Sequence, residues 1–227
     1  MTTFSTNILR SESFDLVNPE IKIECRWSDV VVMESPDPQC HIEIVGEGSD
    51  SQEFAEMANI AQSGNRIKIQ IDKRKGGIKE FFNRGSSNLT LFIKVPVSAG
   101  VKIESVSADV TVEQSLKSAH FTTVSGDLTI IKSPTGKSSI TSVSGDVIAH
   151  VSTPGDFSFK TVSGDIKVFV APGFEVEVDS NTVSGDLRSE IELSSQSGSA
   201  GANSESNGEV VKIKVNTVSG DFSLARS

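Results

Sequence analysis

The sequence predicts an all-β protein, and more narrowly a single-stranded β-solenoid, similar to a parallel β-helix, with about six coils of ~19 residues. Three observations support this prediction. The segment T-V-S-G-D, followed by an apolar residue, recurs through the C-terminal half. Apolar and polar residues alternate beside each copy, as in a half-buried strand. Turn signals containing Pro and Gly separate the strand-like segments, such as S-P-T-G at 133–136 and A-P-G at 171–173.

Six copies of the segment follow one another at nearly constant spacing. Their valines lie 18, 19, 19, 21 and 35 residues apart. The last spacing is longer because it contains the polar, low-complexity stretch 194–209, which we expect to be a disordered loop since it can bury too little apolar surface to offset its ordering. Without that stretch the last spacing is also 19. The valines are Val106, Val124, Val143, Val162, Val183 and Val218.

Each copy is expected to contribute two strands. The alternation in the second copy predicts an inner face of Val124, Gly126, Leu128 and Ile130. Further strands are predicted at 138–140, 156–159, 174–178 and 210–215. Regularly repeated short strands also suit an antiparallel sandwich, which stays open as the alternative. Stacked coils would bury a continuous apolar column, whereas one coil alone would be unstable.

Residues 1–100 lack the motif and are expected to form an irregular, strand-rich cap on the repeat solenoid at 101–227, within one continuous domain. A short helix is predicted at 51–61, with Ser51 as its N-cap. The stretch 73–88 is basic, contains Phe81 and Phe82, and is expected to form an exposed hairpin tip. Strands of the cap are predicted at 21–25, 29–33, 41–45, 66–71 and 89–95.

Charge, cysteine content and the lack of targeting patterns bear on the partners and the location of the protein. A net charge of −9 and a pI near 4.9 argue against nucleic acid, which would repel the chain. The cysteines, Cys25 and Cys40, are expected to be reduced, half-buried thiols, although a disulfide stays open. No signal-peptide pattern and no apolar run of ~20 residues is visible, so we expect a cytoplasmic protein without direct membrane insertion, with cell-surface association as the alternative.

The tandem [ST]-V-S-G-D segments, preceded by the strand L-T-L-F-I-K-V-P, resemble those of a bacterial domain-of-unknown-function family of putative adhesins. The resemblance covers roughly residues 89–224. It implies a parallel β-helix-like fold and says little about activity.

The aspartates of the repeats are expected to stack in a column on the outer face. Neighbouring strands lie ~4.8 Å apart, so carboxylates in register repel unless something neutralises them. A Ca²⁺ ladder is one hypothesis. We favour the other, in which each carboxylate accepts a hydrogen bond from the preceding serine hydroxyl or from a nearby backbone N–H. The glycines of the motif are expected to allow a bulged or left-handed backbone, or a close approach of coils. The aspartates are Asp109, Asp127, Asp146, Asp165, Asp186 and Asp221.

The inventory for catalysis is poor. The three histidines, His41, His120 and His150, occupy unrelated positions in their segments and imply no metal triad. No G-x-S-x-G or H-E-x-x-H motif occurs. A uniform repeat makes a surface, whereas catalysis needs one asymmetric site. We therefore predict no enzyme and no cofactor, and keep a carbohydrate-processing β-helix enzyme as the less favoured alternative.

The sequence thus predicts a binding or assembly module whose polar repeat surface contacts a protein, a glycan or another copy of itself. Because the last predicted strand, 217–224, ends near the C-terminus, we expect it to leave an uncovered edge that pairs with a second copy. The alternative is a cytoplasmic scaffold that binds a membrane protein through the tip 73–88. The predicted interface residues are Thr217, Val218, Phe222, Leu224, Phe81 and Phe82.

Overall fold

The structure, a computed structural model, describes residues 7–47, 51–71, 88–191 and 209–227. Phe81, Phe82, nearly all of the predicted basic tip and residues 194–208 of the predicted loop lie outside the described residues. Within the described ranges the chain forms nineteen strands and one short helix, α1 (Ser51–Met57). The all-β class predicted from the sequence is therefore confirmed.

The strands form two mixed sheets. The ten-stranded sheet contains, in spatial order, β1 (Ile8–Phe14), β4 (Cys40–Glu47), β7 (Asn88–Val95), β3 (Asp29–Glu34), β9 (Val110–Val112), β11 (Leu128–Ile130), β13 (Val147–Val151), β15 (Ile166–Val170), β19 (Phe222–Arg226) and β17 (Leu187–Ser189). The nine-stranded sheet contains β5 (Asn59–Ser63), β6 (Arg66–Ile71), β2 (Glu20–Cys25), β8 (Gly100–Ser105), β10 (Ser118–Thr123), β12 (Ser138–Ser142), β14 (Gly155–Thr161), β18 (Val210–Thr217) and β16 (Glu175–Thr182).

Consecutive strands of the repeats alternate between the two sheets, and we call each such pair of strands a rung. Neighbouring rungs pair in parallel in both sheets. Antiparallel pairing in the described strands is limited to β1–β4, β4–β7 and β5–β6, so the antiparallel sandwich is wrong for the repeats. The rungs, in chain order, are 20–34, 100–112, 118–130, 138–151, 155–170, 175–189 and 210–226.

The core lies between the sheets and consists of columns of side chains in register. In the nine-stranded sheet, Phe121 pairs with Ile140, and Ile140 with Phe159. All three are at most 4% exposed. Burying an aliphatic or aromatic side chain stabilises the fold by roughly 1.5–3 kcal/mol before entropy is subtracted, and each rung gains this only against its neighbours.

The valines of the motif do not belong to this core. Val124 is 48% exposed, whereas Leu128 and Ile130 are buried. The predicted inner position of Val124 is wrong because β10 ends at Thr123 and β11 begins at Leu128, so residues 124–127 form a corner between the sheets. Alternation inferred across a corner places side chains on the wrong face.

The N-terminal strands belong to the same two sheets as the repeats. β2 pairs in parallel with β8, and Cys25 lies opposite Ser105. The segment C-R-W-S-D-V from Cys25 thus occupies the register of S-V-S-A-D-V, although it lacks the T-V-S-G-D motif by which the other copies were found. The helix is shorter than predicted because the chain turns into β5 at Asn59, and Ser51 is a helical residue whose hydroxyl donates to the Glu47 carbonyl at 2.6 Å.

Rungs at the C-terminal end do not follow chain order. β18 lies between β14 and β16, and β19 lies between β15 and β17. Thr217, Phe222 and Leu224 are therefore buried inside the stack, at 4%, 3% and 1% exposure, and Val218 is the only exposed one of the four interface residues predicted in this strand. The prediction that this strand is an uncovered edge is wrong, and among the described strands it is the rung 175–189 that lies at the end of the stack.

The inward side chains explain this order. Those of the rung 210–226 include Val211, Ile213, Val215 and Leu224, all apolar and buried. The rung 175–189 places Ser180 opposite Val215 and Ser189 opposite Leu224. A buried hydroxyl without a partner costs free energy, so the rung with inward serines is better placed at the end, where water reaches one side. No helix in the described part of the chain is long and apolar enough to span a membrane.

Candidate functional site

The aspartates of the motif form a hydrogen-bonded ladder along one corner. The backbone N–H of Asp127 donates to Oδ1 of Asp109 at 2.9 Å, and the N–H of Asp146 donates to Oδ1 of Asp127 at 2.9 Å. The same bond recurs up the stack at 2.8–3.0 Å. In spatial order the ladder contains Asp29, Asp109, Asp127, Asp146, Asp165, Asp221 and Asp186.

A second bond runs in the opposite direction at each step. The N–H of Leu128 donates to the carbonyl of Asp146 at 2.9 Å, and the N–H of Val147 to the carbonyl of Asp165 at 2.8 Å. Every carboxylate from Asp29 to Asp221 thus has a backbone donor, and Asp186 at the end of the ladder accepts a hydrogen bond from Arg188 instead, which offsets the repulsion between neighbouring carboxylates. This is the backbone N–H arrangement that we favoured from the sequence. No group of three or more His, Cys, Asp or Glu in the described ranges is arranged to hold a metal ion.

The ladder begins one rung earlier than the sequence indicated. Asp29 accepts the N–H of Asp109 at 3.1 Å. Burial raises the pKa of Asp29, and the hydrogen bond from Asp109 opposes that rise. The signal available in the sequence was the dipeptide S-D before a valine at 28–30, which lacks the T-V-S-G context.

Glycine is required in this corner because successive rungs approach closely. A Cβ on Gly145 would lie 2.0 Å from the carbonyl oxygen of Gly126, and a Cβ on Gly164 would lie 2.2 Å from that of Gly145. Of the explanations proposed from the sequence, close approach of coils is the one that these distances support at both positions. The preceding hydroxyl closes the turn, as where the N–H of Gly164 donates to Oγ1 of Thr161 at 3.0 Å.

The exposed valines form an aliphatic ridge beside the ladder. Five of them are 42–48% exposed, and Val183 on the outermost rung is 79% exposed. Aliphatic side chains regularly placed on a surface provide contact area for a partner. In spatial order the ridge contains Val106, Val124, Val143, Val162, Val218 and Val183.

The outer face of the nine-stranded sheet carries ion pairs at both ends. Near the N-terminal end, Lys22 lies 2.6 Å from Glu24 and 3.1 Å from Glu104. The hydrogen bond from Lys22 lowers the pKa of Glu24 to about 2. At the other end, Lys214 lies 2.8 Å from Asp179 and Lys212 lies 3.4 Å from Glu177.

Between these ion pairs lies a region that we call the hydroxyl patch. His120, Ser139 and Ser158 are in register across β10, β12 and β14, as are Thr122, Thr141 and Lys160. A hydroxyl both donates and accepts hydrogen bonds, so rows of hydroxyls on a flat sheet can bind polar groups of either kind. The sequence analysis missed this patch because its members lie in three different repeats.

One cluster joins a serine, a histidine and an aspartate near the N-terminal edge. Oγ of Ser13 lies 2.8 Å from Nδ1 of His41, and Nε2 of His41 lies 2.8 Å from Oδ1 of Asp37. The hydrogen bond with His41 lowers the pKa of Asp37. Ser13 is exposed and the Asp37 side chain is 45% exposed, unlike the desolvated site in which such a group is an effective nucleophile. The cluster instead links β1 to β4 and to the loop before β4.

The interior between the described strands contains one small cavity and two thiols that bear on possible chemistry. A cavity of about 10 Å³ lies among Ile103, Phe121 and Ile140, which is about the volume needed for one water molecule. Cys25 and Cys40 are free and buried, and burial raises the pKa of their thiols to about 12 and about 11. Neither thiol is therefore a ready nucleophile at neutral pH.

Comparison with known families agrees with this architecture. The sequence model of the family described as Toastrack DUF4097 matches twice, at residues 18–147 and 97–225. The chain belongs to the Toastrack DUF4097 family. The two overlapping matches cover both halves, so the Toastrack pattern extends into the N-terminal region that lacks recognisable T-V-S-G-D segments. No curated protein matches the sequence.

Solved structures with the same fold come from two bacteria. A putative cell adhesion protein from Clostridium sporogenes aligns with a TM-score of 0.53 at 6% identity, covering 96% of this chain and 99% of that one. A putative adhesin from Bacteroides fragilis aligns with a TM-score of 0.51 at 16% identity, covering 96% of each chain. At these identities the likeness establishes the fold alone.

Proposed function

We propose that this Toastrack chain is a non-catalytic binding module that uses the outer face of its nine-stranded sheet to bind a glycan or a protein. The observation that carries the proposal is the hydroxyl patch, a flat array of aligned polar side chains across three rungs. A partner with regularly spaced hydroxyl or amide groups would match the ~4.8 Å spacing of the rungs. The adhesin descriptions of the two structural relatives support a binding role of this kind.

The strands that pair in parallel, including β6 and β7, are best regarded as one β-solenoid-like domain. Unbroken parallel pairing from β6 to β16 in one sheet and from β7 to β17 in the other supports this interpretation. The strands β1, β4 and β5, with α1, would then be the cap. A rigid, elongated support of this type suits presentation of a flat binding face.

A non-catalytic role fits the chemistry of the described residues. The ladder carboxylates repeat uniformly, and the Ser13–His41–Asp37 cluster is exposed to solvent. We propose a location at the cell surface, in keeping with the adhesin relatives, against the cytoplasmic location predicted from the sequence.

The test uses immobilised neutral and acidic polysaccharides and measures retention of the purified chain. The double variant Thr122→Lys, Thr141→Lys adds two bulky cations to the hydroxyl patch. The matched control, Thr111→Lys, Thr129→Lys, changes two threonines in register on the outer face of the other sheet. We expect retention by at least one polysaccharide, lost in the patch variant and kept in the control.

Three results would count against the proposal. Equal retention of both variants would show that the binding face lies outside the hydroxyl patch. The absence of retention on every polysaccharide would reject a glycan partner. Cleavage of a polysaccharide by the wild-type chain would overturn the non-catalytic role.

A further inference from the structure

The C-terminal rung, 210–226, fills a slot between two rungs that precede it in the chain. β18 pairs over seven residues with β14 and over eight with β16. β19 likewise lies between β15 and β17. Rungs 155–170 and 175–189 therefore do not pair with each other, although they are consecutive in the chain, and residues 210–226 fill the slot between them.

Charge makes the slot selective for this segment. Lys212 lies opposite Asp156 on one side and opposite Glu177 on the other. Lys214 adds an ion pair with Asp179 at 2.8 Å. If β16 docked directly on β14 in the same register, Asp156 would face Glu177, and like charges directly opposite destabilise a strand pair.

Packing selects the same segment. Phe159 lies opposite Val215, and Val215 lies opposite Ser180. Direct docking of the two flanking rungs, with residues 210–226 outermost, would set Ser180 between Phe159 and Val215 and enclose its hydroxyl in the core. The two flanking rungs are therefore poor partners for each other and good partners for residues 210–226.

The connection to this rung is long for the crossing it makes. Residues 152–154 connect β13 to β14, and residues 171–174 connect β15 to β16, whereas residues 190–209 connect β17 to β18. A connection of this length can reach the slot of its own chain or the slot of a neighbouring molecule, since an extended chain spans ~3.3 Å per residue.

We propose that the slot between rungs 155–170 and 175–189 also accepts the C-terminal rung of a second copy, so that two chains exchange residues 210–226. The inference goes beyond the proposed binding role of the outer face and names a second copy of the chain as the partner. Exchange of an identical element requires no new interface, since every contact that forms is already present within one chain. The interface predicted from the sequence at Thr217, Phe222 and Leu224 would then arise by insertion and not by edge pairing.

The test uses cysteine pairs in full-length chains. Asn181 and Asn216 are uncharged and lie opposite each other on β16 and β18. A chain carrying Asn181→Cys and a differently tagged chain carrying Asn216→Cys are unfolded together, refolded at high concentration and oxidised. We expect a tag-mixed disulfide species at about twice the 24.2 kDa chain mass.

Two controls interpret the result. Asn181→Cys mixed with Ser223→Cys, which lies on β19 in the other sheet, should give no such species. The double variant Asn181→Cys, Asn216→Cys should close an internal disulfide in dilute solution, which shows that the pair is correctly placed. An internal disulfide without any mixed species would overturn exchange. Because none of these variants changes the hydroxyl patch, polysaccharide retention reports separately on the proposed function.

Discussion

Replacing Gly145 by alanine tests whether backbone contact between rungs controls the corner of the repeat. The added Cβ would lie 2.0 Å from the carbonyl oxygen of Gly126. Non-bonded contacts of this kind are normally about 3.5 Å, and interiors relieve such overlaps poorly, so the rungs must separate locally.

Separating the two rungs would lengthen or break three hydrogen bonds of the corner, each 2.9 Å long. Ser144 N–H donates to the Val124 carbonyl, Asp146 N–H to Asp127 Oδ1, and Leu128 N–H to the Asp146 carbonyl. Three bonds at about 1 kcal/mol each give about 3 kcal/mol. Alanine has fewer backbone conformations than glycine in the unfolded chain, which offsets up to about 1 kcal/mol of this loss. We therefore expect Gly145→Ala to lower the free energy of unfolding by about 2 kcal/mol.

Urea unfolding followed by far-UV circular dichroism measures this change. The matched control is Gly155→Ala, where the nearest atoms to an added Cβ lie at 3.4 Å, an ordinary contact. We expect the control to change the free energy of unfolding by less than about 1 kcal/mol. If both variants unfold at the same urea concentration with the same slope, rung contact at Gly145 is not what requires glycine there.

Three further predictions follow from the ladder, the ion pairs and the core. Asp146→Ala should lower the free energy of unfolding, measured in urea, by about 1 kcal/mol because the Asp165 N–H loses its acceptor, and Asp146→Asn should lower it by less. If Asp146→Asn instead raises the free energy of unfolding, repulsion between the ladder carboxylates outweighs their hydrogen bonds. The pKa of Glu24 is lowered to about 2, so its contribution to stability is present above about pH 4.5 and is lost as the pH falls towards 2. Over that pH window the melting temperature of Glu24→Gln should therefore fall less steeply than that of the wild type, and equal slopes for the two proteins would contradict this. Phe159→Ala should cost about 3–5 kcal/mol, since Phe159 is fully buried, and a cost under about 1 kcal/mol would contradict the column packing.

Local pattern predicted the strands well. Alternation identified β2, β3, β4, β6 and β7 almost to their ends, because each has one face in the core and one in solvent. It failed at Val124, since the strand stops at Thr123 and the period of two does not continue through a corner. The candidate surfaces were harder to predict, because register between repeats brings together residues that are distant in the chain, as with Thr122 and Thr141.

By itself, the sequence determined the repeat unit, the two-strand content of each rung and the column of aspartates, since each of these depends on contacts that recur identically from one copy to the next. Only the tertiary structure decided the order of the last two rungs. That order depends on which of two segments packs better against β14. Lys212 attracts Asp156, which Glu177 would repel, and Val215 packs against Phe159, where Ser180 would place a hydroxyl. This preference depends on contacts between segments that are distant in the chain, so it can be recognised only when both segments are compared against the same strand in the structure.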